Sequence, residues 1–79
     1  MLQNLNPPPF VLFCVYHNPA DFPGKYVVRR WVGMDPDREP AAVGLTLDEV
    51  RQKIIDENHG LVCLSRQPGD DPVILETWI

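Results

Sequence analysis

Four short apolar runs surround a single helix with a clear start signal, and this arrangement constrains the fold of the 79-residue chain most strongly. The runs are rich in aromatic and β-branched residues, which favour strands. They occupy residues 10–16, 26–32, 61–64 and 73–79. We therefore predict an α+β fold, in which a four-stranded, mainly antiparallel sheet in β-β-α-β-β order carries the helix on one face.

The helix is predicted to span residues 47–59. Thr46 and Glu49 have the spacing of a capping box, in which the threonine hydroxyl accepts from the backbone N–H three residues on and the glutamate reaches back to the threonine N–H. Apolar side chains recur at helical spacing over residues 47–54 and form one stripe. Gly60 suits the C′ position at which helices end.

The first run, residues 10–16, is apolar on both of its faces. A strand with one solvated face alternates apolar and polar residues, whereas a strand covered on both sides is a continuous apolar run. A single helix covers only one face of the sheet. We therefore predict that the other face meets a second copy of the chain, in a homodimer.

The segments between the runs are predicted from their turn residues. Residues 1–9 end in three consecutive prolines and are predicted to form a flexible, Pro-rich arm, whereas residues 10–79 form a single small domain. Residues 17–24 are dense in Pro, Asn, Asp and Gly, which favours a long hairpin loop. Residues 34–42 contain two prolines and are predicted to be a charged loop without strand pairing. Residues 68–72 are predicted to be a turn.

The composition disfavours several classes of partner. The formal net charge of −4 opposes attraction to nucleic acid or to an anionic membrane surface. No run approaches the ~20 residues that span a bilayer, and the N-terminal residues do not resemble a secretory signal. We therefore expect a cytoplasmic protein without membrane contact, for which nucleic acid is a disfavoured partner.

Both cysteines, Cys14 and Cys63, lie within apolar runs and are predicted to be buried, reduced thiols, whose proximity in space the sequence leaves open. Cys14, His17 and Asp21 are the residue types of a thiol nucleophile, a base and an orienting carboxylate. The spacing of Cys14 and His17 places them on opposite faces of a continuous strand. An enzyme that uses a Cys14/His17 loop pocket is therefore kept as an alternative hypothesis.

No cofactor or metal ion is expected. Acidic residues alternate from Asp35 to Glu39 as at the start of a calcium-binding loop, but Pro40 stands where that loop requires glycine and Thr46 where it requires a bidentate carboxylate. The acidic pair at residues 70–71 is interpreted as a solvated turn. Two cysteines and two histidines without paired spacing do not predict a zinc site.

The best candidate for a binding surface is the second apolar run, which carries Lys25, Arg29, Arg30 and Trp31. Guanidinium groups and an indole can bind a phosphate, a carboxylate or stacked bases. We therefore predict a partner- or anion-binding site here, with weak nucleic-acid binding as an alternative. Arg29 and Arg30 fall on opposite faces, so cross-strand ion pairing with Glu76 or another acid is the structural explanation that competes with both.

Large apolar side chains are predicted to form the dimer interface. Trp78 and Ile79 would form a hydrophobic patch if exposed, so we expect them to be buried under the helix or across an interface, where Trp is favoured as an anchor. The predicted interface residues are Phe13, Trp31, Trp78 and Ile79. The leading functional hypothesis is a non-enzymatic homodimeric interaction module, with a protein as its further partner and with no catalytic residue.

Overall fold

The chain folds as an antiparallel sheet with one helix packed on it, so the predicted α+β class is confirmed. The computed structural model describes residues 10–66, 68–69 and 72–79. The predicted arm at residues 1–9 and the acidic pair at residues 70–71 lie outside the described residues.

Within the described residues, six strands and one helix follow one another in β-β-β-β-α-β-β order. All strand pairs are antiparallel, in the spatial order β3-β2-β1-β6-β5, and β4 also pairs with β2. The elements are β1 (Val11–His17), β2 (Tyr26–Val32), β3 (Asp35–Pro36), β4 (Ala42–Gly44), α1 (Leu47–Glu57), β5 (Cys63–Ser65) and β6 (Ile74–Trp78). Since β3 pairs with one end of β2 and β4 with the other, these two short strands share one edge of the sheet.

The predictions of a four-stranded sheet and of an unpaired loop over residues 34–42 were wrong, because β3 forms within that segment and β4 begins at its last residue, Ala42. Gly33, with φ 62°, begins a two-residue turn that joins Val32 to Asp35. Glycine at this position is typical of tight β-hairpins. An edge strand pairs with a neighbour on one side only, so a proline on its open side removes no hydrogen bond from the sheet. Pro36 is therefore tolerated in β3.

Small residues let β4 lie directly beneath the helix. Ala42 and Gly44 are both buried. A Cβ atom on Gly44 would lie 3.0 Å from the Glu49 Oε2 atom and 3.1 Å from the Val50 Cγ1 atom. The close approach of α1 to this edge of the sheet therefore depends on glycine at position 44.

The predicted start of the helix is confirmed. The Thr46 Oγ1 atom accepts from the Glu49 backbone N–H at 3.2 Å. The second half of the capping box differs, because the Glu49 carboxylate accepts from the Leu45 N–H at 3.4 Å. The threonine hydroxyl therefore still satisfies one of the N–H groups that a helix leaves unpaired at its start.

The helix ends two residues earlier than predicted, at Glu57. Asn58 caps it, because its backbone N–H donates to the Ile54 carbonyl at 2.9 Å and its side-chain Nδ2 donates to the same oxygen at 3.2 Å. Gly60, with φ 85°, lies beyond this cap and turns the chain toward β5. The residue that caps the end of the helix is therefore Asn58 and not, as predicted, Gly60.

The core lies between α1 and one face of the sheet. The β1–β6 register contains a bulge, because Val15 is opposite Glu76 but the next residue, Tyr16, is opposite Ile74. Leu75 lies in this bulge and packs against the core. The buried cluster consists of Val15, Val28, Ala42, Val50 and Ile54, with Phe13, Tyr26, Leu47, Leu61, Leu75 and Trp78 packed against it.

The two cysteines lie on opposite faces of the sheet. Cys14 is opposite Thr77 and Cys63 is opposite the next residue, Trp78, and successive strand residues point to opposite faces. Neither cysteine forms a disulfide, and Cys14 is buried as predicted, but Cys63 is exposed. The prediction was wrong for Cys63 because β5 is a short edge strand that stays open to solvent.

Candidate functional site

The sheet face opposite α1 is the principal candidate surface. Phe13 and Val15 pack into the core under the helix, so the residues between and beside them point to the other side. We call this surface the helix-free face. Its residues are Leu12, Cys14 and Tyr16 of β1, Val27, Arg29 and Trp31 of β2, Leu64 of β5 and Thr77 of β6.

An open cleft of about 650 Å³ lies on the helix-free face, over β2. The β1–β2 loop forms one wall with residues 19–21, and residues 36–38 form the other. The remaining lining residues are Tyr16, Val27, Arg29, Trp31 and Val73. Aromatic, aliphatic and proline side chains thus surround a few polar groups, as in many ligand-binding pockets.

Arg29 joins the two walls of the cleft. Its Nη1 atom donates to the carbonyl oxygens of Asp37 and Arg38, both at 2.8 Å, and its Nη2 atom donates to the Asp21 carboxylate at 3.0 Å. The Arg29 side chain is only 16% exposed. The planar, multi-donor guanidinium suits such a role, and an anion at this position would have to compete with the Asp21 carboxylate.

The aromatic side chains of the cleft are linked to each other. The Trp31 Nε1 atom donates to the Tyr16 hydroxyl oxygen at 3.1 Å. The same hydroxyl lies within hydrogen-bonding reach of the Cys14 thiol, whose Sγ atom is 3.8 Å from the Thr77 Oγ1 atom. Burial raises the pKa of the Tyr16 phenol. The phenol therefore stays protonated at neutral pH and can both donate and accept a hydrogen bond.

The predicted binding residues do not form one patch. Arg29 and Trp31 line the cleft, but Arg30 belongs to the helix side of β2, where its Nε atom donates to the Asp37 Oδ2 atom at 2.9 Å. Lys25 lies at the base of the β1–β2 loop, where its carbonyl accepts from the Asn18 N–H at 2.8 Å. Arg29 and Arg30 are therefore paired with acidic residues. Their partners are Asp21 and Asp37, and not Glu76.

The predicted interface residues are also divided between the two faces. Phe13 and Trp78 are opposite one another on β1 and β6, and both pack against the core under the helix. Trp31 lies on the helix-free face, at the cleft. Ile79 continues that face past β6, because it exchanges two backbone hydrogen bonds with Val62, of 2.7 and 2.9 Å.

Beyond the cleft, the helix-free face carries a row of exposed apolar side chains on β5 and β6. Val62 is 58% exposed, Leu64 41% and Ile79 37%. Leu12, which is half-buried on β1, extends the row toward Trp31. We call these four residues (Leu12, Val62, Leu64 and Ile79) the apolar band.

The structure does not bring Cys14 and His17 together. Cys14 is on the helix-free face, whereas the His17 ring stacks on Tyr26 on the other side of the sheet, with ring centroids 4.3 Å apart. Asp21 pairs with Arg29 in the cleft wall. The strand alternation that separates the thiol from the imidazole was evident from the sequence.

A polar cluster under the helix was not predicted from the sequence. Glu76 is only 5% exposed, and its carboxylate accepts from Arg51 at 3.1 and 2.6 Å and from the Trp78 Nε1 atom at 2.8 Å. Burial by itself raises the pKa of Glu76, but the hydrogen bonds from Arg51 and Trp78 outweigh burial and hold that pKa below its ordinary value. Arg51 and Glu76 are 25 residues apart, so no spacing pattern indicates the pair.

Cys63 borders this polar cluster. Burial, followed by the neighbouring Glu76 carboxylate, raises the pKa of the Cys63 thiol. A thiol with a raised pKa is mainly protonated at neutral pH and is therefore a poor nucleophile. Cys63 is therefore exposed without the lowered pKa that marks a reactive cysteine.

Within residues 10–66, 68–69 and 72–79, no group of three or more His, Cys, Asp or Glu residues is placed to hold a metal ion. Across the same residues, no helix has both the length and the apolar character needed to cross a bilayer.

No protein-family model matches the chain, and neither a curated protein nor a solved structure matches it. The cleft and the apolar band are therefore interpreted from their own geometry.

Proposed function

We propose that the chain is a non-enzymatic, homodimeric interaction module whose helix-free face meets a second copy. The apolar band carries this proposal. Val62, Leu64 and Ile79 expose large aliphatic surfaces side by side, on the side of the sheet that has no helix. Monomeric proteins rarely expose large contiguous apolar patches, and rows of this kind mark interaction surfaces.

A second copy is the occupant that this surface favours. A two-fold axis brings the same patch of two chains together, so an apolar row meets an apolar row without unpaired charge. At about 4.8 Å between strands and 3.4 Å per residue, the face covers roughly 500 Å² in projection. Stable interfaces bury about 600 Å² or more per partner, which exceeds this projected area, so the dimer needs the whole of this face together with the loops beside it.

The electrostatics of the face are compatible with self-association. The chain carries a net charge of −4, which repels two copies at long range. The side chains of the apolar band carry no charge, and the Asp21–Arg29 pair of the cleft is internally compensated. Repulsion therefore acts elsewhere on the surface and is screened by salt.

The cytoplasmic location expected from the sequence is retained as part of the proposal.

A matched pair of variants tests the proposal. Leu64→Glu places a charge in the middle of the apolar band, whereas Ile55→Glu places the same charge on α1, at a residue of similar exposure (46% against 41%). A carboxylate desolvated in the interface is expected to weaken the dimer by about tenfold or more. Light scattering at a concentration where the unmodified chain is dimeric measures the effect.

The two variants should behave differently. We expect Leu64→Glu to reduce the average mass toward that of one chain and Ile55→Glu to leave it unchanged. An unmodified chain that is monomeric at high micromolar concentration would contradict the proposal. Equal masses for the two variants would show that the helix-free face is not the interface.

A further inference from the structure

We propose that the cleft of the helix-free face binds a small aromatic carboxylate, whose ring lies against Tyr16 and Trp31 and whose carboxylate lies near Arg38. All the residues that line the cleft belong to one chain, so this inference does not rest on the proposed homodimer. In that dimer the second copy covers the mouth of the cleft, so a bound ligand would be enclosed between the two copies.

The size and the lining of the cleft suit a small aromatic ligand. Its volume of about 650 Å³ falls within the range of about 300–1,000 Å³ that is typical of ligand pockets. Tyr16 and Trp31 supply two aromatic side chains, and their hydrogen bond of 3.1 Å fixes one relative to the other. Aromatic rings attract each other beyond the burial of their apolar surface. A ligand with a ring is therefore favoured over an aliphatic one.

The walls of the cleft are held in place before any ligand binds. Three N–H groups of the Arg29 guanidinium donate to Asp37, Arg38 and Asp21. A guanidinium has five N–H groups, so two remain that make no hydrogen bond to the described part of the chain. A ligand oxygen that reaches Arg29 therefore finds donors still available, in a site whose order costs the ligand little free energy.

The charges around the cleft favour an anion over a neutral or cationic ligand. Two acids and two arginines line it, namely Asp21, Asp37, Arg29 and Arg38. Asp21 pairs with Arg29, and Asp37 pairs with Arg30 from the other side of β2. Arg38, in contrast, forms no ion pair with any described residue. One positive charge thus remains at the cleft, although the net charge of the chain is −4.

A carboxylate is the anion that fits this single charge. Carboxylate and guanidinium groups are both planar and can pair through two parallel hydrogen bonds. A carboxylate carries one negative charge, whereas a phosphate monoester carries close to two at neutral pH. The second charge of a phosphate would be repelled by Asp21 and Asp37, which line the same cleft.

The test uses cinnamate as the probe and its neutral amide, cinnamamide, as the matched control. Nuclear magnetic resonance follows the indole N–H signal of Trp31 during a titration of the full chain. The Trp78 signal is an internal control, because that residue packs on the opposite side of the sheet. We expect cinnamate to shift the Trp31 signal in a saturable way and to bind about threefold or more tightly than cinnamamide.

A matched pair of variants tests the role assigned to Arg38. Arg38→Gln removes its charge from the cleft, whereas Lys53→Gln removes the same charge from an exposed residue of α1. We expect Arg38→Gln to weaken cinnamate binding by about three- to fivefold and to leave cinnamamide binding unchanged, because an exposed ion pair contributes modestly. Lys53→Gln should change neither. Equal losses of cinnamate binding in the two variants would overturn the assignment to Arg38.

The outcomes separate the ligand site from the homodimer. The absence of a saturable Trp31 shift, or equal affinities for cinnamate and cinnamamide, would overturn this proposal. The mass of the chain is measured in the same samples. A dimeric mass without a Trp31 shift would overturn the ligand site and leave the homodimer intact, whereas selective binding to a chain of monomeric mass would contradict the homodimer alone.

Discussion

At the scale of single residues, Glu76 is the least expected feature of the molecule. Its carboxylate is buried, yet Arg51 and the Trp78 indole surround it with charge-assisted hydrogen bonds. A buried carboxylate is tolerated only when such partners replace its water. The pair connects the helix to β6.

We predict that Glu76→Gln lowers the free energy of unfolding by about 1–3 kcal/mol, because an amide cannot reproduce the charge-assisted bonds to Arg51. Urea denaturation measures the loss. The control is Glu39→Gln, at an exposed carboxylate, which should change stability little. Equal losses for the two variants would show that the buried pair contributes no more than a surface charge.

The same residue predicts a dependence on pH. The pKa of Glu76 is lower in the folded chain than its ordinary value, so the unfolded chain binds more protons between the two values and stability rises with pH there. The contribution of Glu76 is therefore complete above the ordinary pKa of about 4.3 and is lost as the pH falls through the lower folded value. The difference between the unmodified chain and Glu76→Gln should shrink in acid, and a constant difference would contradict this assignment.

At the scale of elements, the sequence predicts the long strands and the start of the helix but not the short edge strands. Aromatic and β-branched runs specify β1 and β2, and Thr46 specifies the first turn of α1. A signal for β3 was present, since Gly33 and the residue after it have the pattern of a two-residue hairpin turn. No comparable signal marks β4, whose three residues are held by packing beneath α1 and by pairing with β2.

The helix start makes a prediction at this scale. Thr46→Ala removes the hydroxyl that accepts from the Glu49 N–H and is expected to cost about 1 kcal/mol of stability. Thr46→Ser keeps an equivalent hydroxyl and should retain most of the stability. Thermal unfolding of the two variants measures the difference. Identical midpoints would show that the helix start is held by its contacts with β4 and not by its cap.

At the scale of the whole molecule, only part of the candidate site follows from the sequence. Arg29 and Trp31 are identifiable from their residue types, and both line the cleft. The walls are not predictable, because they form when Arg29 donates to two carbonyl groups of a segment that has no recognisable pattern. The division of Phe13 and Trp31 between the two faces follows from strand alternation once the register is known.

The size of the core gives self-association a physical reason. Among the residues that the structure describes, the buried cluster under the helix contains five side chains, and most of the apolar band stays exposed in a single copy. Small domains of this kind commonly gain stability from disulfides, metal ions or oligomerisation. Neither cysteine forms a disulfide. The homodimer proposed above buries the apolar band and in this way adds to the stability of a small core.

The solution mass of the unmodified chain across a concentration series, from low to high micromolar, tests the central claim most directly. Sedimentation equilibrium reports this mass without a label or a substitution. Our account predicts a concentration-dependent rise from the mass of one chain, 9.0 kDa, to twice that value. A mass that stays at 9.0 kDa throughout the series would contradict the proposed homodimer.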